Sequence, residues 1–394
     1  MLQHLFALMW NKKKQHALLV IEIFFSFMVI FALATMGVYF YKNYRQPLGL
    51  ADKNVWNVSF TNGGNVASAD SLAQFYHNLQ LTVASMPGVE DACYSSFNIP
   101  FINAMSSTGM LIGNTSHQGI YYFQADDHYN NVLGMTLLEG RWFGKEDDAA
   151  AHPPVIINEA LRKTAFGNGP ALGQLTGSDK DQNRMRVIGV LADAKWAGDY
   201  MPPHISMWTR IDTAFYHGVN IMLVRVSPDA DANLEANLYK TLSNAMKNAN
   251  VSIGHLDDTR DSIDVQYLMP AIIFMIIAAF LVINVAFGLF GVLWYNINKR
   301  KSEIGLRRAV GASGWSVSRQ LWVETLILAT FGVVIGLFFA IQFPLLHVFD
   351  MSTGVYIAAL IFTILFMYVL VTICSLYPGR QAASIFPAEA LHED

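Results

Sequence analysis

Glycines and a lysine at close spacing can cradle a phosphate, and Gly140–Lys145, reading GRWFGK, is where this chain comes nearest to that pattern. Its spacing is one residue short of a phosphate-binding loop, and Glu146 stands where a Ser or Thr is needed. A surface turn is the stronger reading. Two acidic clusters, Asp126 with Asp127 and Glu146 with Asp147 and Asp148, offer the oxygen donors a hard cation prefers. Neither follows a cation-loop pattern, and solvated acidic turns are commoner. The eleven histidines show no metal-ligand spacing. Cys93 lies in a polar region and Cys374 in an apolar run, so neither a disulfide framework nor a metal-binding thiol pair is expected. No nucleophile elbow occurs. The middle of the chain therefore reads as a binding or mechanical module, not as a catalyst.

What remains chemically distinctive is a basic stretch, Lys299–Gln320, reading KRKSEIGLRRAVGASGWSVSRQ. Ser302 is placed to cap a short helix, and Glu303 suits its positive N-terminal end. Leu306, Ala309 and Val310 share one face at helical spacing, and Arg307 and Arg308 project away from it. Gly311 and Gly314 then end the helix. Two readings stand level on these residues. The helix docks on a protein partner, or it rests on anionic lipid headgroups as any basic loop can.

The elements around this stretch follow from hydropathy. Apolar residues make up 53% of the 394-residue chain and charged residues only 14%, against about 25% in ordinary soluble proteins. The apolar excess falls in four runs, 17–41, 267–297, 321–349 and 355–376, each long enough for a membrane span. Residues 1–16 fit an amphipathic interfacial helix with Leu2, Leu5, Phe6 and Met9 on one face. The first run is longer than a signal-peptide core and ends in Tyr39, Phe40, Tyr41 and Tyr44, so it is expected to stay uncleaved. Lys12, Lys13 and Lys14 precede it, and Lys299, Arg300, Lys301, Arg307, Arg308 and Arg319 lie between the second and third runs. The positive-inside rule then places both termini and the 298–320 loop in the cytoplasm, with 42–266 outside and 377–394 as an inner tail. Net charge of −4 and the clustering of basic residues at membrane ends exclude a nucleic-acid binder.

Few polar groups lie in the runs. Glu22 either contacts another helix or a cation, or snorkels to nearby headgroups. Glu324 is within reach of Arg319 or sits plainly at the interface. Gly288, Gly291 and the Gly332/Gly336 pair are small-residue positions for helix packing. Pro344 kinks or ends the third span, and Pro378 ends the fourth. No row of intramembrane charges marks a proton or ion relay. The outer segment alternates strands and helices at its two ends around a looser insert. An α+β core follows, with one lobe at 50–97 plus 185–265 and the other at 98–184.

The loop sequence KRKSEIGLRRAVGAS resembles the signature of the FtsX-like, MacB-type permease family of ABC transporters. LLEGRWFGKED (137–147), VIINEALRKTAFGNGPALGQ (155–174) with MRVIGVLADAK (185–195), and PGRQAASIFPAEAL (378–391) resemble further family segments. So does the layout of one span, a large outer domain and three spans. The resemblance implies four transmembrane helices with a MacB-type periplasmic core domain between the first and second, in the inner membrane. It implies that Glu303, Ile304, Gly305, Leu306, Arg307, Arg308, Ala309, Gly311 and Ala312 form a coupling helix that docks on a cytoplasmic ATPase. It further implies two ATPase subunits and a second permease, identical or homologous, with membrane lipid and a periplasmic protein as further partners. The chain has no Walker motif, so it is expected to bind no cofactor and to be non-catalytic, with ATP used by the partner. Motion of the outer domain driven by that ATP, termed mechanotransmission, would serve export or extraction of a substrate. The alternatives are an FtsX-like regulator of a cell-envelope partner and a membrane-anchored binding protein without an ATPase.

Overall fold

In strands buried on both faces, successive side chains serve two different cores, and this rule organises the segment Asn43–Tyr267. The structure is a computed structural model that describes residues 13–61, 69–95, 97–103, 105–112, 115–177, 184–212, 215–246, 249–346 and 348–383. The chain divides into two units, Asn43–Tyr267 and a second unit formed by the residues up to Lys42 and from Leu268 onward. The expected interfacial helix, the Lys12 position and the last residues of the tail lie outside the described residues.

In the first unit, β1 (Val55–Phe60), α2 (Ala69–Ala84), β2 (Val89–Ser95), β10 (Ile221–Val226), α5 (Ala232–Ala245) and β11 (Val251–His255) form one layer pair. The strand order is β11-β1-β10-β2, antiparallel throughout, which is the split βαβ arrangement of a ferredoxin-like fold. Trp56, Val58, Tyr94, Met222 and Val224 face the helices and pack on Leu72, Tyr76, Leu234 and Leu238. Their neighbours Val55, Cys93 and Leu223 point the other way into a second core with Phe123, Trp196 and Trp208. Period-two alternation therefore carries apolar residues to both faces. Asp231 caps α5 by accepting from the backbone N–H groups of Asn233 and Leu234.

Between β2 and β10 lie β3 (Ser107–Ile112), β4 (Thr115–Ala125), α3 (Tyr129–Leu133), β5 (Leu137–Gly140), β6 (Pro154–Asn158), α4 (Glu159–Phe166), β7 (Leu175–Thr176), β8 (Met185–Leu191) and β9 (Ser206–Arg210). Six of these strands close on themselves in the order β3-β4-β9-β6-β8-β7, with β7 returning to β3. Closure leaves no free edge within the ring. Ile120, Val155, Ile157, Val187, Val190 and Met207 fill one side with Leu161 of α4. The lobe division read from the sequence is corrected here. Met185–Leu191 and Ser206–Arg210 belong to the closed ring with β4 and β6, not to the sheet of β1, β2, β10 and β11. Strands apolar on both faces carry no sign of which neighbour they will pair with, and β4 with β9 and β6 with β8 are parallel pairs between distant segments.

One loop of this unit clasps the two helical ends that belong to it. The buried Lys195 donates from Nζ to the carbonyl oxygens of Asn43 (3.2 Å) and Asp199 (3.2 Å). The backbone N–H of Asp199 donates to Asp264 at 2.8 Å, and Asn43 donates to the Tyr200 carbonyl at 2.9 Å. Burial pushes the Asp264 carboxyl up to about 6.

Among the described residues, four helices are long and apolar enough to cross a membrane. They are α1 (Lys13–Tyr44), α6 (Leu256–Lys299), α8 (Gly314–Ala340) and α10 (Thr353–Ala383). Ile23 and Phe27 of α1, Leu289 of α6, Val333 of α8 and Met367 of α10 share one buried cluster. The Gly332/Gly336 pair is where α1 crosses α8. A Cβ on Gly332 would come within 2.6 Å of Ile23 Cγ2, and one on Gly336 would meet the Phe27 ring. Glu22 contacts another helix, since a Cβ on Gly288 of α6 would lie 2.5 Å from its carboxylate; Gly291 faces open space.

One of the two prolines acts differently from expectation. Pro378 does not end the fourth helix, which runs on to Ala383. A proline removes one backbone donor, and near a helix end few bonds depend on it. The third span does end at its proline as expected: α8 stops at Ala340, whose carbonyl Pro344 can neither bond nor approach, and Pro344 sits in the first turn of the short α9 (Gln342–Leu345).

Candidate functional site

The loop between the second and third spans forms α7 (Lys301–Ala309), a helix of nine residues. It begins one residue before Ser302, which therefore does not cap it. The capping position is Arg300, whose side chain makes no capping bond to the helix backbone, because α6 continues to Lys299 and leaves one residue between the helices. Glu303 lies in the first turn, where the helix dipole favours it. Gly311 ends the helix in the left-handed region at φ 102°. The Ala312 N–H reaches the Arg307 carbonyl (3.0 Å) and the Gly311 N–H reaches that of Arg308 (3.1 Å), which is a Schellman closure. Gly314 does not end α7. It opens α8, capped by Ser313, whose hydroxyl accepts from the Ser316 N–H.

The helix has two faces. Ile304 and Gly305 are buried, and Ile304 packs with Ile297, Val317 and Leu321. Leu306, Ala309 and Val310 face outward, with Leu306 56% and Val310 82% exposed. Trp315, at the start of α8, is 67% exposed and extends the apolar surface near the loop. Arg307 does not project freely. It donates to Glu303 at 2.5 Å and to Gln320 at 2.9 Å. Glu324 pairs with Arg300 at 3.3 Å and not with Arg319. Residues five apart lie about 140° apart around a helix, so Arg319 points elsewhere. Gln320 and Trp315 were not singled out from the sequence. The signal for Gln320 was its i,i+4 spacing to Glu324.

Two profiles cover these elements. Residues 17–238 match the MacB-like periplasmic core domain and residues 272–387 the FtsX-like permease C-terminal domain. The chain belongs to the FtsX-like permease family of the MacB type. It is 30% identical to macrolide export ATP-binding/permease protein MacB 1/2 of Paracoccus denitrificans over 225 residues, 56% of this chain and 33% of that protein. It is 27% identical to MacB 2 of Yersinia pestis over 301 residues, 73% of this chain and 44% of that one. The permease thus spans between a third and a half of these curated relatives. It is 25% identical to the uncharacterized ABC transporter permease YvrN of Bacillus subtilis over 336 residues, 79% of this chain and 81% of that one. The crystal structure of the periplasmic region of MacB from Actinobacillus actinomycetemcomitans aligns with a TM-score of 0.39 and 18% identity, covering 57% of this chain and 98% of that one.

In this permease the acidic clusters of the periplasmic core domain are tied into the fold. Asp126 accepts from Gln80 Nε2 (2.9 Å) and from the backbone N–H groups of Tyr94 (2.9 Å) and His128 (2.9 Å). Arg210 bridges Asp127 and Asp148. Arg141 grips Asp147 through two bonds of 2.7 and 2.6 Å and holds its carboxyl below the usual carboxylate range. The GRWFGK stretch is a structural corner. Gly140 has φ 76°, and a Cβ there would strike the Ile188 carbonyl. Replacing Arg141 by alanine leaves the buried Asp147 carboxylate without its cation. A loss of about 2 kcal/mol of stability is expected, measured by the urea midpoint of the purified protein.

Proposed function

We propose that this chain is the permease subunit of a MacB-type ABC transporter, with α7 as the helix that docks on a separate cytoplasmic ATPase. The observation that carries the reading is the outward face of Leu306, Ala309 and Val310 on a helix whose other face is braced against α8. Exposed aliphatic residues beside arginines suit a partner groove with an apolar floor and an acidic rim. The basic residues around α7 favour a cytoplasmic position for the loop, which sets both termini inside and the core domain outside. The MacB relatives are named ATP-binding/permease proteins and extend well beyond the matched part, whereas YvrN, matched over most of its length, is named a permease.

In this reading the ATPase binds and hydrolyses ATP, and this chain does neither. Two ATPase subunits and a second permease complete the assembly. Closure of the ATPases pushes on α7, the spans move, and the core domain follows through the helices that enter it. The clasp of Lys195 on Asn43 and of Asp199 on Asp264 supports such transmission, because one loop holds both entering ends. Export or extraction of a substrate from the periplasm or membrane is the output.

The first variant changes only exposed side chains. Leu306→Asp with Val310→Asp is expected to lower co-purification of the ATPase at least about tenfold, since burying two unpaired carboxylates costs well over 1.4 kcal/mol. Arg307→Glu with Arg308→Glu should have the same result. Normal binding and turnover in both variants would remove α7 from the docking surface.

A further inference from the structure

Five polar side chains close a ring around the base of α7. Arg300 Nε donates to Glu303 Oε2 at 3.0 Å, and Arg307 Nη2 donates to Glu303 Oε1 at 2.5 Å. Arg307 Nη1 donates to Gln320 Oε1 at 2.9 Å, and Gln320 Nε2 to Glu324 Oε1 at 3.0 Å. The ring closes where Arg300 Nη1 reaches Glu324 Oε2 at 3.3 Å. Two cations, two anions and one amide balance to zero charge. Ile297, Ile304, Val317 and Leu321 lie beneath it. The cleft there holds only about 20 Å³, room for about one water, so the ring is a packed joint and not a ligand site.

Such a ring differs from a pair of surface ion pairs. An exposed i,i+4 pair such as Glu303–Arg307 contributes a few tenths of a kcal/mol by itself. Here Arg300 and Glu324 are each largely covered, with 22% and 24% of the side chain exposed. Every carboxylate oxygen in the ring accepts at least one bond, and linked bonds of this kind strengthen one another. Two of the five links, Arg307–Gln320 and Arg300–Glu324, cross to α8. Arg307–Gln320 joins α7 to α8 directly and Arg300–Glu324 holds the residue that leads into α7, so together they resist movement of α7 on α8.

We propose that Glu324 is a positioning residue that locks α7 to α8, so that the docking helix and the third span move as one body. It touches no partner. It acts through Arg300 and Gln320 on the angle at which Leu306 and Val310 are presented. This inference rests on the docking role proposed above for its consequence, while the joint itself can be measured without any ATPase.

The experiment has two arms. In the first, nitroxide labels at Val310→Cys and Arg319→Cys, in a Cys374→Ser background with the buried Cys93 left in place, report the α7–α8 distance in the permease alone. Glu324→Gln keeps the side-chain shape and removes the charge. The distance distribution is expected to broaden in Glu324→Gln and to stay narrow in Glu324. In the second arm, unlabelled Glu324→Gln permease with its ATPase in nanodiscs is expected to bind normally. Its stimulated ATP turnover should fall about tenfold, within the range usual for a lost coupling free energy. A narrow distribution in Glu324→Gln overturns the proposal, and so does unchanged turnover. Failure of the unaltered permease to bind any ATPase would sink the docking role and leave the first arm to decide the joint. Gln320→Ala, which cuts two links without leaving a charge uncompensated in the apolar contact, is the second variant, with the same expected results.

Discussion

Gly336→Leu is expected to abolish recovery of folded, monodisperse protein from the membrane. A Cβ at this position already meets the Phe27 ring, and the remaining leucine atoms have nowhere to go between α1 and α8. Overpacking of this kind costs about 3 kcal/mol or more where the neighbour is itself fully buried, as Phe27 is. Gly332→Leu, against Ile23 and the Val20 carbonyl, should behave alike. Gly291→Leu is the control. No atom lies within 4 Å of a Cβ there, so its yield and its size-exclusion profile in mild detergent should match the unaltered protein. Equal behaviour of all three would mean that α1 and α8 do not meet at these glycines.

Asp126→Asn is expected to cost about 2–3 kcal/mol and to flatten the pH dependence of stability. All three groups that reach its carboxylate are N–H donors, and an asparagine must turn its own NH₂ toward at least one of them. Burial outweighs those donors and pushes the Asp126 carboxyl up to about 7. The unfolded chain releases this proton near pH 3.9. Between about pH 4 and pH 7 the folded state therefore holds a proton that the unfolded state lacks, and stability falls as pH rises through that window. The full effect of about 3 pH units is about 4 kcal/mol at most, lost by pH 7 and present below pH 4. Urea midpoints followed by tryptophan fluorescence from pH 5 to 8 should decline in the unaltered protein by more than in Asp126→Asn. An equal decline would assign the dependence to other groups, Asp264 first among them.

Much of the architecture is legible in residue order because it rests on local or one-dimensional rules. Four apolar runs of spanning length set four membrane helices, and the lysines and arginines between them set an expected orientation. Alternation in Val55–Phe60, the short apolar run Ile221–Val226 and the leucine spacing of α5 lead directly to strands and a helix. The segment Lys301–Ala309 is readable as a helix from its charge and apolar spacing, and Gly311 as its end, because a left-handed residue is needed there. Other features were hidden for stated reasons. Ser302 looked like a cap, but cap position depends on where the previous helix stops, and α6 stops only at Lys299.

Sequence by itself determined the kind of molecule: four spans, a large inserted α+β domain, and a short basic helix with an apolar face between the second and third spans. These follow from composition, period and charge along the chain, which need no knowledge of neighbours in space. Tertiary structure alone decided which strands close the ring, which glycines receive α1, and which residues brace α7. Arg319 stands nearer than Arg300 to Glu324 in the chain, yet Arg300 takes the partner, because helix geometry turns Arg319 away and folds Arg300 back across the joint. Pairing across elements depends on distances that residue order does not contain. The cross-element partners of Glu324, Gln320 and Lys195 are all of that kind.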